Sequence, residues 1–288
     1  MLSNGQDGLY NSILTKQSIP EMVVGGKQVA NRFLKELFSI LFSGYHSERN
    51  FTSKDQIIDQ LELFRIRWKS LLEPYSKYAD RELGRKVGLD DIMHNFIAKL
   101  PGLYQWMWED AEAAFLGDPA AESIHEVILA YSGFYAGAVH RIANYFFKSS
   151  LPIFPKLLSG VAHEATGIDI HPGAEIGRAF FMDHGTGIVI GETTRIADNV
   201  KIYQGVTLGA LSVNKSLAKQ KRHPTIEEGV VIYAGATILG GETVIGKQSI
   251  IGGNAWITQS IPPYSVVYQK SEVRVRSSNE NQGLDFTI

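Results

Sequence analysis

The sequence predicts an α+β protein, an N-terminal α-helical domain followed by a parallel β-helix. Two observations carry the prediction. Before about residue 166, apolar residues recur at helical spacing; after it they fall on a fixed six-residue step. Ile226, Ile232, Ile238, Val244, Ile250 and Trp256 keep that step, as do Ile190, Ile196, Ile202 and Leu208, and before them Ile170, Ile176 and Met182. Neither a helix, with a period of about 3.6, nor a strand alternating at about 2 produces it. A six-residue step with glycine between beats marks the stacked coils of a parallel β-helix, three hexads to a coil.

The elements follow in order. Residues 1–25 lack apolar periodicity and read as weakly ordered. An α-helical domain spans 26–165. Its first stripe is Val29, Phe33, Leu34, Leu37, Phe38 and Leu41. Ile57, Ile58, Leu61, Leu63, Phe64 and Ile66 predict a second helix ending near Pro74. Leu83 to Leu100 predicts a third, interrupted at Gly88, and Leu103 to Phe115 a fourth. A long fifth runs from Ile124 to Phe147, with Asp118-Pro119 placed to start it. A short one covers Pro155 to His163. Tyr104, Trp106 and Trp108 read as packing residues.

The β-helix spans 166–263, about five coils. Its beat has three defects. Two extra residues lie between Met182 and Ile190. A second apolar column, Leu239, Ile245, Ile251 and Ile257, appears near Gly240-Gly241, and the inward register there is open. Residues 211–222 carry no beat and read as an ejected basic loop, which a solenoid tolerates between coils. Residues 264–288 form a polar tail.

Composition narrows the function classes. With 44% hydrophobic and 20% charged residues the chain can bury a large core. A net charge of -2 offers no field for nucleic acid or anionic membrane. The absence of cysteine removes disulfides and thiolate catalysis. No apolar run reaches the roughly 20 residues of a membrane span, and the N-terminus has no signal-peptide pattern. A cytoplasmic protein without nucleic-acid or membrane partners is expected.

Ionisable residues stand in the first coils, Asp169 and His171 in DIHP and Asp183 and His184 in DHG, and at the close of the ejected loop, Arg222 and His223 in RHP. Asp169 and His184 stand close to one coil apart, a spacing that can set a carboxylate against an imidazole. Such a carboxylate fixes the imidazole tautomer, and the imidazole then removes a proton from a substrate hydroxyl. Two alternatives stand beside this. Either histidine can be a hydrogen-bonded turn residue, or His171, His184 and His223 can converge on zinc. The close His-x4-His pair of β-helical hydratases is missing, so no metal is expected. His46, His94, His125, His140 and His163 read as surface or packing residues.

The stretch TGIDIHPGAEIGRAFFMDHGTGIVIGETTRIADNVKIYQGVTLGA, continued by RHPTIEEGVVIYAGATILGG, closely resembles the serine O-acetyltransferases. DPAAES and HRIANYFF upstream resemble the end of that family's helical domain. The resemblance covers roughly residues 115 to 265. It implies left-handed coils, and transfer of acetyl from acetyl-CoA to the L-serine hydroxyl for cysteine biosynthesis. By matching motif it implies His184 as general base and Asp169 as its carboxylate partner. Asp118, Asp183, Arg222 and His223 would bind serine. Gly209, Ala210 and Ala234 would line a CoA groove between neighbouring β-helices; Lys215, Lys219 and Lys221 either meet the CoA phosphates or form a solvated basic loop. It further implies a homotrimer or hexamer, cysteine as feedback inhibitor, and cysteine synthase as a partner through Ile288. The alternative is another hexapeptide acyl-CoA transferase acting on a sugar or other hydroxyl. Gly209-Ala210 in place of the usual Gly-Gly, and the longer 211–222 loop, depart from many members.

Overall fold

The computed structural model describes residues 12, 26–45, 48, 50–212 and 220–270. The expectations for the N-terminal segment, for Lys215 and Lys219, and for Ile288 lie outside the described residues.

Six helices precede the first strand among the described elements: α1 (Gly26–Leu41), α2 (Lys54–Leu83), α3 (Leu89–Gly117), α4 (Ile124–Ala130), α5 (Ser132–Lys148) and α6 (Phe154–Thr166). The α1 stripe buries Phe33, Leu34, Leu37 and Phe38 as expected. Phe33 sits at the centre of an aromatic core, with the rings of Phe64, Trp68, Phe146 and Phe154 around it at 4.9–5.5 Å.

Three helix expectations need correction. α2 continues through Pro74 to Leu83. It buries Phe64, Trp68, Leu72, Tyr75 and Ala79, whereas Ile57, Ile58, Leu63 and Ile66 are exposed. The inward face therefore follows the aromatic residues and not the isoleucines. α3 runs unbroken through Pro101-Gly102, joining two predicted helices. Tertiary burial on one flank outweighs the single hydrogen bond a proline removes. The long fifth helix is broken at Tyr131, whose extended backbone separates α4 from α5. The cap of α4 is Ser123, whose Oγ accepts from Glu126 N at 3.1 Å; Asp118 instead ends α3.

Fourteen short strands then wind into a solenoid of about five coils. They are β1 (Asp169–Ile170), β2 (Glu175–Ile176), β3 (Phe181–Asp183), β4 (Val189–Ile190), β5 (Arg195–Ile196), β6 (Lys201–Tyr203), β7 (Thr207–Gly209), β8 (Thr225–Ile226), β9 (Val231–Ile232), β10 (Thr237–Leu239), β11 (Val244–Ile245), β12 (Ile250–Ile251), β13 (Trp256–Ile257) and β14 (Val266–Val267). All pairs are parallel. The first sheet is β1-β4-β7-β10-β13, the second β2-β5-β8-β11, and the third β3-β6-β9-β12-β14. The beat residues from Ile170 to Ile238 point inward, stacked as Ile170–Ile190–Leu208–Ile238 along the first sheet.

The open register is resolved at Gly240-Gly241. Ile226 pairs with Ile245, one residue beyond the eighteen of a regular coil. Beyond this corner the inward column is Ile245, Ile251 and Ile257, and Trp256 turns outward with 71% exposure.

A buried clip locks the two parts together. Arg141 Nε and Nη2 on α5 donate to Asp110 Oδ2 and Oδ1 on α3, both at 2.6 Å. Arg141 Nη2 also donates to Gly177 O at 2.7 Å, and Phe180 N donates to Asp110 Oδ1 at 2.9 Å. The corner between β2 and β3 is thereby pinned to two helices, which fixes the first coil against α3 and α5.

Candidate active site

The site residues fall into two groups, one at each edge of the first sheet. The first group lies at the corner where the third sheet passes into the first. Asp183 pairs with Tyr203, and Gly205 N donates to Thr186 O, so residues near His184 bulge out of the ladder. This is the two-residue slip of the sequence. It leaves His184 in the left-handed region at φ 56 with its side chain 74% exposed. A non-glycine residue held there is uncommon and concentrates at functional sites. Asp183 lies beneath it, with Oδ1 3.9 Å from His184 Nε2.

The helical domain supplies the rest of this group. Asp118, ending α3, accepts from Ala120 N at 2.8 Å and from Tyr131 Oη at 2.6 Å. The Tyr131 hydroxyl holds the Asp118 carboxyl below the usual carboxylate range, helped by Lys201 and His184. The same bond pushes Tyr131 up to about 12. Tyr131 stands at the break between α4 and α5, and from there its hydroxyl reaches Asp118. Lys201 Nζ donates to Gly117 O at 2.5 Å, stands 3.9 Å from Asp183 Oδ2, and lies over the Phe181 and Tyr203 rings. Tyr131 and Lys201 were missed in the sequence, because only the fold carries them to Asp118 and Asp183.

Asp169, the first residue of β1, belongs to the same corner. The spacing suggested contact with His184, but no hydrogen bond or ion pair joins them among the described residues. The Asp169 carboxylate lies instead 4.0 Å from His163 Nδ1 on α6. The physical reason is the bulge, which lifts His184 out of the rung that would have faced the layer below. His163, expected to be a surface or packing residue, is the imidazole nearest Asp169.

The second group lies at the corner where the first sheet passes into the second. His223 is buried, and its Nδ1 accepts from Thr193 N at 3.1 Å, with Thr193 Oγ1 at 2.9 Å. Burial, then the neighbouring Arg222 charge, lowers its pKa to about 4. The ring is neutral at pH 7, and with Nδ1 accepting a backbone N–H its proton rests on Nε2. Gly191 makes room for it: a Cβ there would fall 2.0 Å from the ring. Arg222 is paired with Glu192. Lys221, expected near CoA phosphates, is spent on backbone carbonyls, donating to Thr193 O at 3.0 Å and Pro224 O at 3.3 Å and also to His223 O. His171 accepts from Gly173 N at 3.1 Å, the turn-residue alternative.

The small residues divide in the same way. Ala234 sits at the third-to-first corner, and Gly209 and Ala210 at the first-to-second corner. Among the described residues no three His, Asp or Glu side chains converge as metal ligands, so His171, His184 and His223 do not meet. No described helix is long and apolar enough to cross a membrane.

A triangular solenoid of hexapeptide coils, with histidine and carboxylate groups bulged from its corners and a helical domain leaning on the first coil, defines the chain as a hexapeptide-repeat protein. No family model matches it. A serine acetyltransferase encoded on a plasmid of Synechococcus elongatus is 48% identical over 198 residues, 67% of this chain and 61% of the relative. One from Staphylococcus xylosus is 46% identical over 159 residues, 55% of this chain and 71% of the relative. Among solved structures, serine acetyltransferase isoform 3 from Entamoeba histolytica superposes with a TM-score of 0.74 at 33% identity, covering 86% of this chain and 84% of that one. The chain belongs to the serine acetyltransferase family.

Proposed function

We propose that the protein transfers the acetyl group of acetyl-CoA to the hydroxyl of L-serine. The observation that carries this reading is the exposed His184, bulged from the corner beside Asp183 and near Asp118, in a chain that belongs to the serine acetyltransferase family. Cysteine, bound in the Entamoeba structure, is read as an inhibitor competing at the serine subsite. Work in the cytoplasm fits a chain without cysteine.

The chemistry follows from the groups. Asp118 and Asp183 offer carboxylates to the serine ammonium, while Arg222 and the His223 Nε2–H offer donors to its carboxylate. His184 accepts the hydroxyl proton as the serine oxygen attacks the thioester carbonyl. Backbone N–H groups at the corners are suited to the tetrahedral oxyanion. Collapse breaks the carbon–sulfur bond, and the imidazolium returns its proton to the CoA thiolate. Asp169, freed from His163, would orient the imidazole.

In one chain the two groups stand on opposite edges of the first sheet, so serine cannot touch both. A trimer with the first sheets turned toward its axis would set one copy's His184 corner against its neighbour's Arg222–His223 corner. The outward column of that sheet beyond its first rung suits such packing: Asp169 is its one charged residue, Val189 and Trp256 are exposed and apolar, and Thr207 and Thr237 are uncharged.

A thiol-release assay with acetyl-CoA, L-serine and a sugar acceptor tests the reading. Serine is expected to be the better acceptor by orders of magnitude. In His184→Ala turnover should fall about 100- to 10,000-fold, the range for a lost general base. Near-normal turnover in that variant removes His184 from the role, and preference for the sugar returns the protein to the wider acyltransferase class.

A further inference from the structure

Lys201 is placed unlike a surface lysine. On the outward face of the third sheet the pairs Phe181–Lys201, Lys201–Val231, Val231–Ile250 and Ile250–Val266 make one column, in which Lys201 is the one charged residue. Its side chain is 20% exposed. The ammonium lies 4.7 Å from the centroid of the Phe181 ring and 4.8 Å from that of Tyr203. A cation attracted by two aromatic faces is already held in place for its polar contacts.

Those contacts join the two parts of the chain. Lys201 Nζ donates to Gly117 O at 2.5 Å, on the last residue of α3. The next residue is Asp118. Gly117 is seated without slack, since a Cβ there would fall 2.9 Å from Phe181 Cδ1. On the solenoid side Lys201 Nζ stands 3.9 Å from Asp183 Oδ2, and Asp183 Oδ1 stands 3.9 Å from His184 Nε2. The Asp183 side chain is 13% exposed, so solvent screens this pair less than a surface pair. Asp118 and Asp183 are near enough that Tyr131 feels the charge of both.

We infer that Lys201 is a positioning residue of the serine subsite, setting Asp118 of the helical domain and Asp183 of the solenoid at one fixed separation; the inference rests on the serine reading above. Two carboxylates gathered at one corner repel each other, and an ammonium between them offsets the repulsion. With Lys201 in place, both can face one substrate ammonium. Without it they part, and the end of α3 loses its tie to β6. A shift of about 1 Å is enough to spoil such a constellation. Lys201 acts through the two carboxylates and need not touch the substrate. Its loss therefore falls on serine and not on the acyl donor.

Steady-state kinetics on the full chain, with L-serine and acetyl-CoA varied in turn, test the inference. Lys201→Met keeps a stem between the rings and removes the ammonium. Its KM for L-serine should rise about tenfold, the low end for a lost hydrogen bond to a charged group, while the KM for acetyl-CoA holds and kcat changes little. Lys201→Arg keeps a charged donor that stacks on aromatic rings and should recover most of that loss. An unchanged KM for L-serine in Lys201→Met, an equal rise for both substrates, or a Lys201→Arg enzyme no better than Lys201→Met overturns the role. If Lys201→Met does not fold, Lys201→Gln carries the same expectation and is overturned by the same result. If the unaltered protein releases no thiol, the acetyl-transfer reading fails, and calorimetry with L-serine decides Lys201 separately. Binding about tenfold weaker to Lys201→Met is then expected. Equal affinity overturns the role of Lys201, and no binding to the unaltered protein overturns both readings.

Discussion

Asp118 gains its place in the proposed serine subsite from a tyrosine thirteen residues away. The Tyr131 hydroxyl orients the carboxylate and keeps it charged. In Tyr131→Phe the carboxylate loses that partner, and the KM for serine should rise about 10- to 100-fold while kcat changes little, a hydrogen bond to a charged group being worth about 1.5–3 kcal/mol. Steady-state kinetics with serine varied at saturating donor measure it. The buried histidines set an acid limit. Burial lowers His140 to about 3 and His223 to about 4, against about 6.5 in the unfolded chain. Between these values the unfolded state binds more protons, so lowering the pH destabilises the fold. Thermal unfolding followed from pH 7 to pH 4 should show Tm falling from about pH 6.5 downward. The motif residues were legible at this scale because their spacing survives in one dimension. Their partners were not: Tyr131, Lys201 and His163 reach the site only through helix packing that leaves no short-range pattern.

At the scale of the element, the solenoid holds its rungs while its corners vary. The six-residue beat was legible because every third-sheet, first-sheet and second-sheet strand presents one inward aliphatic residue. It failed at Gly240-Gly241 because both columns there are aliphatic, and only pairing with the coil below distinguishes them. Among the helices, proline was too strong a stop signal: α2 and α3 pass through Pro74 and Pro101 because Trp68, Leu72, Tyr75, Leu100 and Met107 bury one flank. The Arg141–Asp110 clip is where helix meets coil. Arg141→Met leaves the Asp110 carboxylate buried without its counter-charge and should cost about 3–5 kcal/mol. Urea unfolding reads the loss, and a cost below about 1 kcal/mol would show that the clip contributes no more than an exposed pair.

At the scale of the whole molecule, the two half-sites at opposite edges of the first sheet make a statement about assembly. If each complete site joins two copies, His184→Ala and Arg222→Ala disable different halves. Each variant alone should be nearly inactive. Co-expressed, they should form mixed trimers in which about a quarter of the sites combine two intact halves. Recovery of activity in the mixed sample is the expected result; no recovery would place the whole site within one copy.

The extra residue at the Gly240-Gly241 corner acts on the solenoid as a frameshift acts on a message. Upstream and downstream coils each obey the same grammar, but in different phases, and the corner is the only place where the phase changes. Everything that follows inherits it: Ile245, Ile251 and Ile257 are read as interior, and Trp256 as exterior. Substitutions along these strands alter single letters. One residue removed at that corner would bring the step back to the regular eighteen with Ile245 still opposite Ile226, so the phase change is carried by the corner alone and the coils beyond it keep the same interior.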